Sequence, residues 1–246
     1  MENLSRAAQL IKSSKFLTAF TGAGISKESG IPVFRGGDGV YSKYDHSLLE
    51  IRNYKMRTEE SWKAVKAIFY DFFGSAKPNA AHKVLADWEK SGLLKYVITQ
   101  NIDNLHQDGG SKNVIEYHGT KDGFVCLKCG KTYRLKELNL TDKPPYCSEC
   151  DGLLKPDFVF FGEAIPQKAA RLSYDVAKKS DVHLVIGTTG EVQPASYIPY
   201  YAKRAGAMII EINPEKSKFT DTITDIYLKG KAGEILVDLN NHLNEQ

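Results

Sequence analysis

The sequence predicts an α/β fold, a Rossmann-like doubly wound parallel sheet with a smaller inserted lobe that combines a zinc ribbon with helices. Three observations predict it. Short apolar runs alternate with helical patterns, a glycine-rich turn follows the first run, and four cysteines are confined to positions 126–150. A chain of 246 residues is long enough for two lobes of unequal size.

Five runs along the chain have the composition of buried strands. Each is short, apolar and rich in β-branched residues, which is typical of parallel strands covered on both faces. The runs are residues 16–20, 96–99, 113–116, 182–186 and 207–212.

Helical patterns lie between these runs. Asn79, which follows Pro78, is the expected cap of the helix over residues 80–91. Residues 1–15 also have helical periodicity, and they lack the basic region, apolar run and cleavage site of a signal peptide. The other helical patterns are residues 80–91, 167–179, 195–205 and 233–242.

Two stretches interrupt this alternation. Residues 37–77 are aromatic-rich and suggest helices, whereas residues 119–157 carry all four cysteines and have little periodicity. We therefore expect a helical insertion, 37–77, and a zinc-binding module, 119–157, that together form the small lobe. The remaining segments, 1–36, 78–118 and 158–246, are expected to form the Rossmann domain.

The charge pattern argues against nucleic acid as a partner. The formal net charge is +3, and acidic and basic residues are interleaved rather than gathered into basic blocks. The longest apolar runs fall far below the roughly 20 residues that cross a bilayer. We expect a monomeric, cytoplasmic protein that binds neither nucleic acid nor membrane.

The four cysteines have the spacing of a structural metal site. Cys126 and Cys129 form one pair, and after 17 further residues Cys147 and Cys150 form the second. Two-residue gaps let both thiolates of a pair reach one tetrahedral zinc ion. Four thiolates leave no coordination position for water or substrate, so the zinc would be structural. Iron–sulfur ligation and free or redox-active thiols are the alternatives.

A glycine-rich turn follows the first predicted strand. Gly22, Ala23 and Gly24 would let the backbone approach a pyrophosphate closely. The signal is weak alone, because a pair of glycines also makes an ordinary turn. The third glycine of the dehydrogenase fingerprint is absent as well.

Further motifs accompany this turn in a defined order. The turn itself reads Gly-Ala-Gly-Ile-Ser, and Ser-Gly-Ile-Pro and Phe-Arg-Gly follow it. Then come Thr-Gln-Asn-Ile-Asp at 99–103, Leu-His at 105–106, Glu116 with His-Gly at 118–119, the cysteine pairs, Lys-Pro-Asp at 155–157, Phe-Phe-Gly-Glu at 160–163 and Gly-Thr-Thr at 187–189. Together these motifs resemble the sirtuin family over residues 5–236.

The resemblance implies an NAD⁺-consuming protein-lysine deacylase, with NAD as co-substrate and one structural zinc ion. It implies that Asp103 and Ile102 bind the nicotinamide amide, that Asn101 orders the ribose side, and that Phe34 shields the reacting face from water. Arg35 would order the loop over the cofactor. The full implied NAD-binding set is Gly22, Ala23, Gly24, Ile25, Phe34, Arg35, Gln100, Asn101, Ile102, Asp103, Gly187, Thr188, Thr189, Asn213, Lys231 and Ala232.

His118 and Asn101 are the catalytic residues that the resemblance implies. The acyl-lysine carbonyl oxygen would attack the anomeric carbon as nicotinamide leaves, and His118 would then act as general base on a ribose hydroxyl. An imidazole with an ordinary pKa of about 6.5 suits this step. A histidine before a glycine is more often structural, and we interpret the other five in that way: His46, His82, His106, His183 and His242.

The acyl-lysine peptide is implied to enter between the lobes as an extended strand. Val159 and Phe161 would line an apolar tunnel for the acyl-lysine, although apolar residues in such runs are usually core. The peptide backbone would pair by β-augmentation with Gly162 and Glu163 on one side and Glu191 and Val192 on the other.

Three segments depart from the family pattern. Val33 stands where many relatives have Asp, so nicotinamide handling is expected to differ. Residues 189–191, Thr-Gly-Glu, replace the more usual Ser-Leu-Gln and change one wall of the peptide groove. Tyr70 is followed by Phe73 rather than by the Arg of desuccinylating relatives, so we expect acetyl or other uncharged acyl chains.

Two rival functions stay open at this point. A sirtuin-like mono-ADP-ribosyltransferase or NAD⁺ glycohydrolase would let a protein side chain or water capture the ribosyl cation, although His118 argues against it. An NAD-sensing binding module would use the zinc lobe as a partner surface and would release no nicotinamide.

Overall fold

Residues 2–32, 45–71 and 76–245 are described in the structure, a computed structural model. They contain nine strands: β1 (Leu17–Thr21), β2 (Leu94–Thr99), β3 (Val114–Glu116), β4 (Gly119–Cys126), β5 (Thr132–Arg134), β6 (Leu154–Phe158), β7 (Val182–Ile186), β8 (Met208–Asn213) and β9 (Ile226–Lys229). Six of these form one parallel sheet in the order β3-β2-β1-β7-β8-β9. The other three form a small antiparallel sheet in the order β5-β4-β6.

The large sheet is doubly wound. The chain moves outward from β1 to β3, and it then returns to the other side of β1 and moves outward through β7, β8 and β9. Sheets of this kind bind ligands at the carboxyl ends of the two strands where the direction reverses, which are β1 and β7 here. The predicted fold class is confirmed, and the position of the site follows from it.

Helices cover both faces of the large sheet. The described helices are α1 (Glu2–Ser13), α2 (Ile51–Met56), α3 (Thr58–Lys66), α4 (Ala80–Lys90), α5 (Leu105–Asp108), α6 (Gln167–Lys179), α7 (Tyr197–Arg204) and α8 (Ala232–Asn244). Apolar residues of α1, α4 and α8 pack on one face, and those of α6 and α7 pack on the other. None of the helices in these ranges combines the length and apolar character that crossing a bilayer requires.

Asn79 caps α4, as predicted. Its side chain accepts a hydrogen bond from the N–H of Ala81 at 2.9 Å, and its amide donates to the carbonyl of Ile25 at 2.8 Å. The cap therefore also fixes the segment that follows the glycine turn. Strand β9 was not predicted, because its sequence, Ile-Tyr-Leu-Lys, is not a continuous run of apolar, β-branched residues.

The small lobe packs helices against the small sheet. The buried Trp62 of α3 donates its indole N–H to the carbonyl of Thr141 at 2.9 Å, and the hydroxyl of Tyr54 in α2 donates to the carbonyl of Leu154 at 2.8 Å. Strand β6 ends at Phe158, one residue past the predicted end of the zinc-binding module and at the predicted start of the last Rossmann segment. The exact bounds of the domains stay a prediction.

Candidate active site and metal centre

A cavity of about 930 Å³ opens at the carboxyl ends of β1 and β7 and reaches the small lobe. Most of the residues predicted for the site line it. Those on its wall are Gly22, Ala23, Gly24, Gln100, Asn101, Ile102, His118, Val159, Phe161, Gly162, Glu163, Gly187, Thr188, Thr189, Val192, Asn213, Lys231 and Ala232. Three predicted residues, Ile25, Asp103 and Glu191, are not on the wall. Val33, Phe34 and Arg35 lie outside the described residues.

The turn at residues 22–24, after β1, contacts the turn at residues 187–189, after β7, at the carboxyl ends of these two strands. A Cβ on Gly24 would lie 2.7 Å from the Cα of Gly187, and one on Gly22 would lie 2.9 Å from the Gly187 carbonyl oxygen. The N–H of Gly24 donates to that carbonyl at 2.8 Å. Only glycine permits this approach, so the pair of turns forms a bare backbone surface facing the cavity.

His118 follows β3, and one hydrogen bond sets its tautomer. Its Nδ1 lies 3.0 Å from the carbonyl oxygen of Gln100. Because a carbonyl can only accept, Nδ1 carries the proton, and in the neutral ring the Nε2 atom keeps its lone pair. Burial lowers the pKa of His118, while the bond to Gln100 opposes the shift. The ring is therefore a neutral base at the cavity wall.

Asn101 and Asp103 are joined through Ser26. The side-chain amide of Asn101 donates to the Gly22 carbonyl and to the Ser26 hydroxyl, both at 3.2 Å. The Ser26 hydroxyl in turn donates to Asp103 at 2.7 Å, and the N–H of Leu105 donates to the other carboxylate oxygen at 2.9 Å. The amide hydrogens of Asn101 are thus committed, and Oδ1 is the atom that Asn101 can offer to a ligand.

Asp103 is only 5% exposed and, like Ser26, does not lie on the cavity wall. Burial raises the pKa of Asp103, and the hydrogen bonds from Ser26 and Leu105 oppose this shift. The structure thus shows a bracing contact for Asp103. Its predicted contact with the nicotinamide amide stays a prediction.

The segment 158–163 forms the small-lobe wall of the cavity. The N–H of Val159 donates to the carbonyl of His118 at 2.8 Å. Phe161 pairs with the helical insertion, since its N–H donates to the carbonyl of Leu49 and its carbonyl accepts from the N–H of Ile51, both at 3.0 Å. The wall is therefore fixed to His118 on one side and to the helices on the other.

A partly buried ion pair between Lys155 and Glu163 stabilises segment 158–163. The Lys155 ammonium lies 3.1 Å from the Glu163 carboxylate and also donates to the carbonyls of Pro156 and Phe158. Burial lowers the pKa of Lys155, and Glu163 opposes the shift. The Glu163 carboxylate also accepts from the N–H of Phe160 at 2.8 Å. Its side chain therefore serves the segment itself, and its backbone is the part that it can offer to a peptide.

The far end of the cavity lies beside β8 and the start of α8. The side-chain amide of Asn213 donates to the carbonyl of Thr188 at 2.8 Å, so its Oδ1 remains as an acceptor. Glu28, which the sequence analysis did not single out, accepts from the N–H of Gly233 at 2.8 Å. This contact joins the segment after the glycine turn to the first turn of α8.

Several cavity residues were not predicted. Leu49 and Phe69 come from the helical insertion, and no local motif marks them. Phe158 and Phe160 adjoin a recognised motif, so the apolar run itself was the available signal. The other unpredicted wall residues are Lys27, Glu28, Pro32, Ile165, Gln193, Pro194, Ile212, Pro214, Glu215 and Lys216.

The four cysteines come together as predicted. All four sulfur atoms lie within 4.8 Å of one another. The Sγ atoms of Cys126 and Cys150 are 3.5 Å apart, and those of Cys129 and Cys147 are 3.8 Å apart. A tetrahedral zinc ion with Zn–S bonds of about 2.3 Å requires sulfur atoms about 3.8 Å apart. The cluster fits one zinc ion held between the β4–β5 connection and the segment that precedes β6.

Comparison with known proteins agrees with this geometry. A model of the Sir2 family matches residues 22–194. An NAD-dependent protein deacylase of Pyrococcus furiosus is 45% identical over 248 residues, covering 96% of each chain. An NAD-dependent protein deacetylase of Thermodesulfovibrio yellowstonii is 43% identical over 244 residues, covering 97% of this chain and 94% of the relative.

Solved structures match over nearly the whole chain. A Sir2 homologue in complex with NAD superposes with a TM-score of 0.91 at 38% identity, covering 98% of this chain and 93% of that chain. A complex of Sir2 with a p53 peptide and NAD⁺ superposes with a TM-score of 0.89 at 34% identity, covering 98% of each chain. Because the family model and these relatives span so much of the sequence, this chain belongs to the Sir2 family, the sirtuins.

Proposed function

We propose that this chain is an NAD-dependent protein-lysine deacylase. Acyl-lysine, NAD⁺ and water are converted into free lysine, nicotinamide and O-acyl-ADP-ribose. The observation that carries the proposal is the state of His118, a neutral imidazole whose Nε2 lone pair is available beside a cavity that joins two nucleotide-type turns to an apolar wall. Such a base suits removal of a proton from a ribose hydroxyl.

The sheet side of the cavity suits NAD. The turns at 22–24 and 187–189 present bare backbone to a pyrophosphate. Asn101 and Asn213 each have an Oδ1 acceptor that remains for a ribose hydroxyl, because their amide hydrogens are used within the protein. Lys231 and Ala232 also line the cavity, and we assign them to the adenosine end of NAD. NAD supplies the electrophilic anomeric carbon and nicotinamide as the leaving group.

The small-lobe side suits an extended acyl-lysine peptide. Phe161 is 43% exposed on the wall although its backbone is paired with Leu49 and Ile51. Gly162 follows with a φ of +85° and makes no backbone hydrogen bond to the described part of the chain, so its polar groups suit β-augmentation by a peptide. Val159 and Phe161 give the acyl-lysine an apolar surface. The monomeric state and the cytoplasmic location stay predictions.

Mass spectrometry of an acetyl-lysine peptide incubated with and without NAD⁺ tests the proposal. We expect deacetylated peptide and O-acetyl-ADP-ribose to appear together, only with NAD⁺. His118→Ala is the matched variant, and it should lower turnover by about 10²–10⁴-fold because the general base is lost. Nicotinamide release without acyl transfer would favour the glycohydrolase, an ADP-ribosylated protein product would favour the transferase, and NAD⁺ binding without turnover would favour the sensing module.

A further inference from the structure

Two buried histidines, His82 of α4 and His106 of α5, take no part in the reaction proposed above. Their side chains are almost fully buried, and their ring centroids lie 4.9 Å apart at an interplanar angle of 67°. A buried histidine needs a reason, because burying a polar ring without partners costs free energy. The partners of these two rings lead to Asn101.

The first step of this connection has a definite direction. The Thr21 hydroxyl donates to the Thr99 hydroxyl oxygen at 2.9 Å. The Nε2 atom of His106 lies 3.0 Å from the same Thr21 oxygen. Since the one hydroxyl hydrogen of Thr21 is already committed, His106 must be the donor, and its proton lies on Nε2. The Nδ1 atom of His106 is then a bare acceptor.

The connection ends on the backbone of Asn101. The Thr99 oxygen accepts a second hydrogen bond, from the N–H of Asn101, at 3.0 Å. The side-chain amide of Asn101 is held separately by Gly22 and Ser26. Backbone and side chain are thus fixed by different partners, and the position of Oδ1 depends on both.

The other end reaches the cap of α4. The N–H of Asn79 donates to Nδ1 of His82 at 3.3 Å, so the neutral His82 ring carries its proton on Nε2. Among the described residues, Nε2 of His82 and Nδ1 of His106 have no hydrogen-bond partner. One is a donor and the other an acceptor, on adjacent rings. Burial lowers the pKa of His82 to about 4 and the pKa of His106 well below 6.5, so both rings stay neutral near neutral pH.

We propose that His106, Thr21 and Thr99 form a one-way hydrogen-bond relay whose role is to position Asn101 for the nicotinamide ribose. The inference rests on the proposed function, because that function gives Asn101 its ligand. The relay runs in one direction, from His106 to Thr99, so reversing one of its hydrogen bonds alone would leave two donors or two acceptors facing each other. His106, Thr21 and Thr99 are positioning residues and touch no substrate.

A pair of threonine variants on strand β1 tests the proposal in turnover. Thr21→Val removes the relay hydroxyl, whereas Thr18→Val removes a hydroxyl of the same buried strand that bonds to Nδ1 of His183 at 2.7 Å, away from the site. We expect Thr21→Val to lower kcat by about tenfold or more with the peptide KM unchanged, as misplacement of a catalytic group does. Thr18→Val should stay within about twofold of wild type by the same comparison, and Thr21→Ser should restore turnover.

NMR of the ligand-free protein provides a readout that does not depend on activity. Long-range ¹H–¹⁵N spectra should show His106 as the neutral Nε2–H tautomer. The Asn101 backbone amide resonance should shift in Thr21→Val and stay in place in Thr18→Val. An Nδ1–H tautomer of His106, or equal kcat losses in Thr21→Val and Thr18→Val, would overturn the relay. If the wild-type protein has no turnover, the proposed function fails, and the tautomer of His106 still tests the relay. The tautomer also tests the relay if Thr21→Val does not fold.

Discussion

The proposed role of His118 as a base depends on one carbonyl group. The Gln100 carbonyl requires the Nδ1 proton, so the lone pair is on Nε2, and the same residue Gln100 is fixed by its side-chain bond to the Thr188 hydroxyl at 3.1 Å. The turn after β7 therefore helps to fix the position of His118, because it holds Gln100. The family resemblance implied His118 as the base, but it did not predict which nitrogen carries the lone pair.

The pH dependence of turnover tests the state of His118. Burial lowers the pKa of His118 from 6.5, and the base acts only when it is unprotonated. Activity should therefore persist as the pH falls past 6.5 and decline only at a lower pH. We expect the acid limb of the kcat/KM profile to have its midpoint below pH 6.5, and the limb should be absent from the residual activity of His118→Ala. A midpoint above 6.5 would contradict the environment described for this ring.

Ser26 has a structural role that its position in the sequence does not predict. Ser26 lies inside the recognised glycine motif, yet its role is to join Asn101 to Asp103, residues about 75 positions away along the chain. A hydrogen bond of this kind depends on where two loops meet in space. The cysteines are different, because their two-residue gaps define the local geometry of each pair. The clustering of the four cysteines was therefore predicted, whereas the bracing was not.

At the scale of elements, the contact between the turns after β1 and β7 is sensitive to one methyl group. Gly24→Ala would place a Cβ 2.7 Å from the Cα of Gly187, and such overpacking costs about 1–3 kcal/mol. We expect the turns to move apart and NAD⁺ affinity, measured by calorimetry, to fall by roughly tenfold, the equivalent of about 1.4 kcal/mol.

Gly30→Ala is the matched control for this prediction. Gly30 has a φ of +87°, but a Cβ there would meet no atom of the described residues within 4 Å. The substitution should lower stability by about 1 kcal/mol through left-handed strain alone and leave NAD⁺ affinity nearly unchanged. Equal affinity losses in both variants would show that the contact between the turns has no special role.

The small sheet is the element that depends on metal. Its strands β4 and β6 are flanked by the cysteine pairs, and Tyr133 of β5 lies 3.1 Å from the Cys147 sulfur. We expect elemental analysis to find one zinc ion per chain and chelation to lower the melting temperature, because structural zinc contributes to folding directly. Stoichiometric iron together with visible absorbance would show that the cysteines hold an iron–sulfur cluster and not zinc. An unchanged melting temperature after metal removal would contradict a structural role for the metal.

At the scale of the whole molecule, buried histidines couple stability to pH. Burial lowers the pKa of His82 to about 4 and that of His183 to about 3, whereas an unfolded chain titrates them near 6.5. Between these values the unfolded state binds protons that the native state does not. Stability is therefore fully present above pH 6.5 and falls as the pH drops below it, by up to about 1.4 kcal/mol per pH unit for each histidine.

Urea unfolding at pH 7, 6 and 5 measures this dependence. We expect the free energy of unfolding to fall between pH 7 and pH 5, and we expect the fall to be smaller in His183→Asn, which keeps a polar group beside Thr18 without a titrating ring. An identical pH dependence in wild type and His183→Asn would show that His183 does not contribute to it.

The overall architecture was predictable because its signals are local and repeated. The runs that became β1, β2, β7 and β8 are long enough to show the composition of buried parallel strands, and the alternation with helices then restricts the topology. Strand β9 and the cavity residues Leu49 and Phe69 were not predicted. Their positions depend on packing between segments far apart in sequence, and no period or motif marks them.

The backbone bonds of segment 158–163 determine what a relative motion of the two lobes would change. Val159 is bonded to His118, and Phe161 is bonded to Leu49 and Ile51, so the proposed acyl-binding surface and the proposed base lie on one continuous hydrogen-bonded strip. His118 is also bonded to Gln100, and Gln100 to Thr188 of the turn after β7, so the strip connects the helices of the small lobe to the nucleotide turns. A relative motion of the lobes would keep Val159 beside His118, and it would therefore change access to the cleft more than the spacing between the proposed base and the acyl chain.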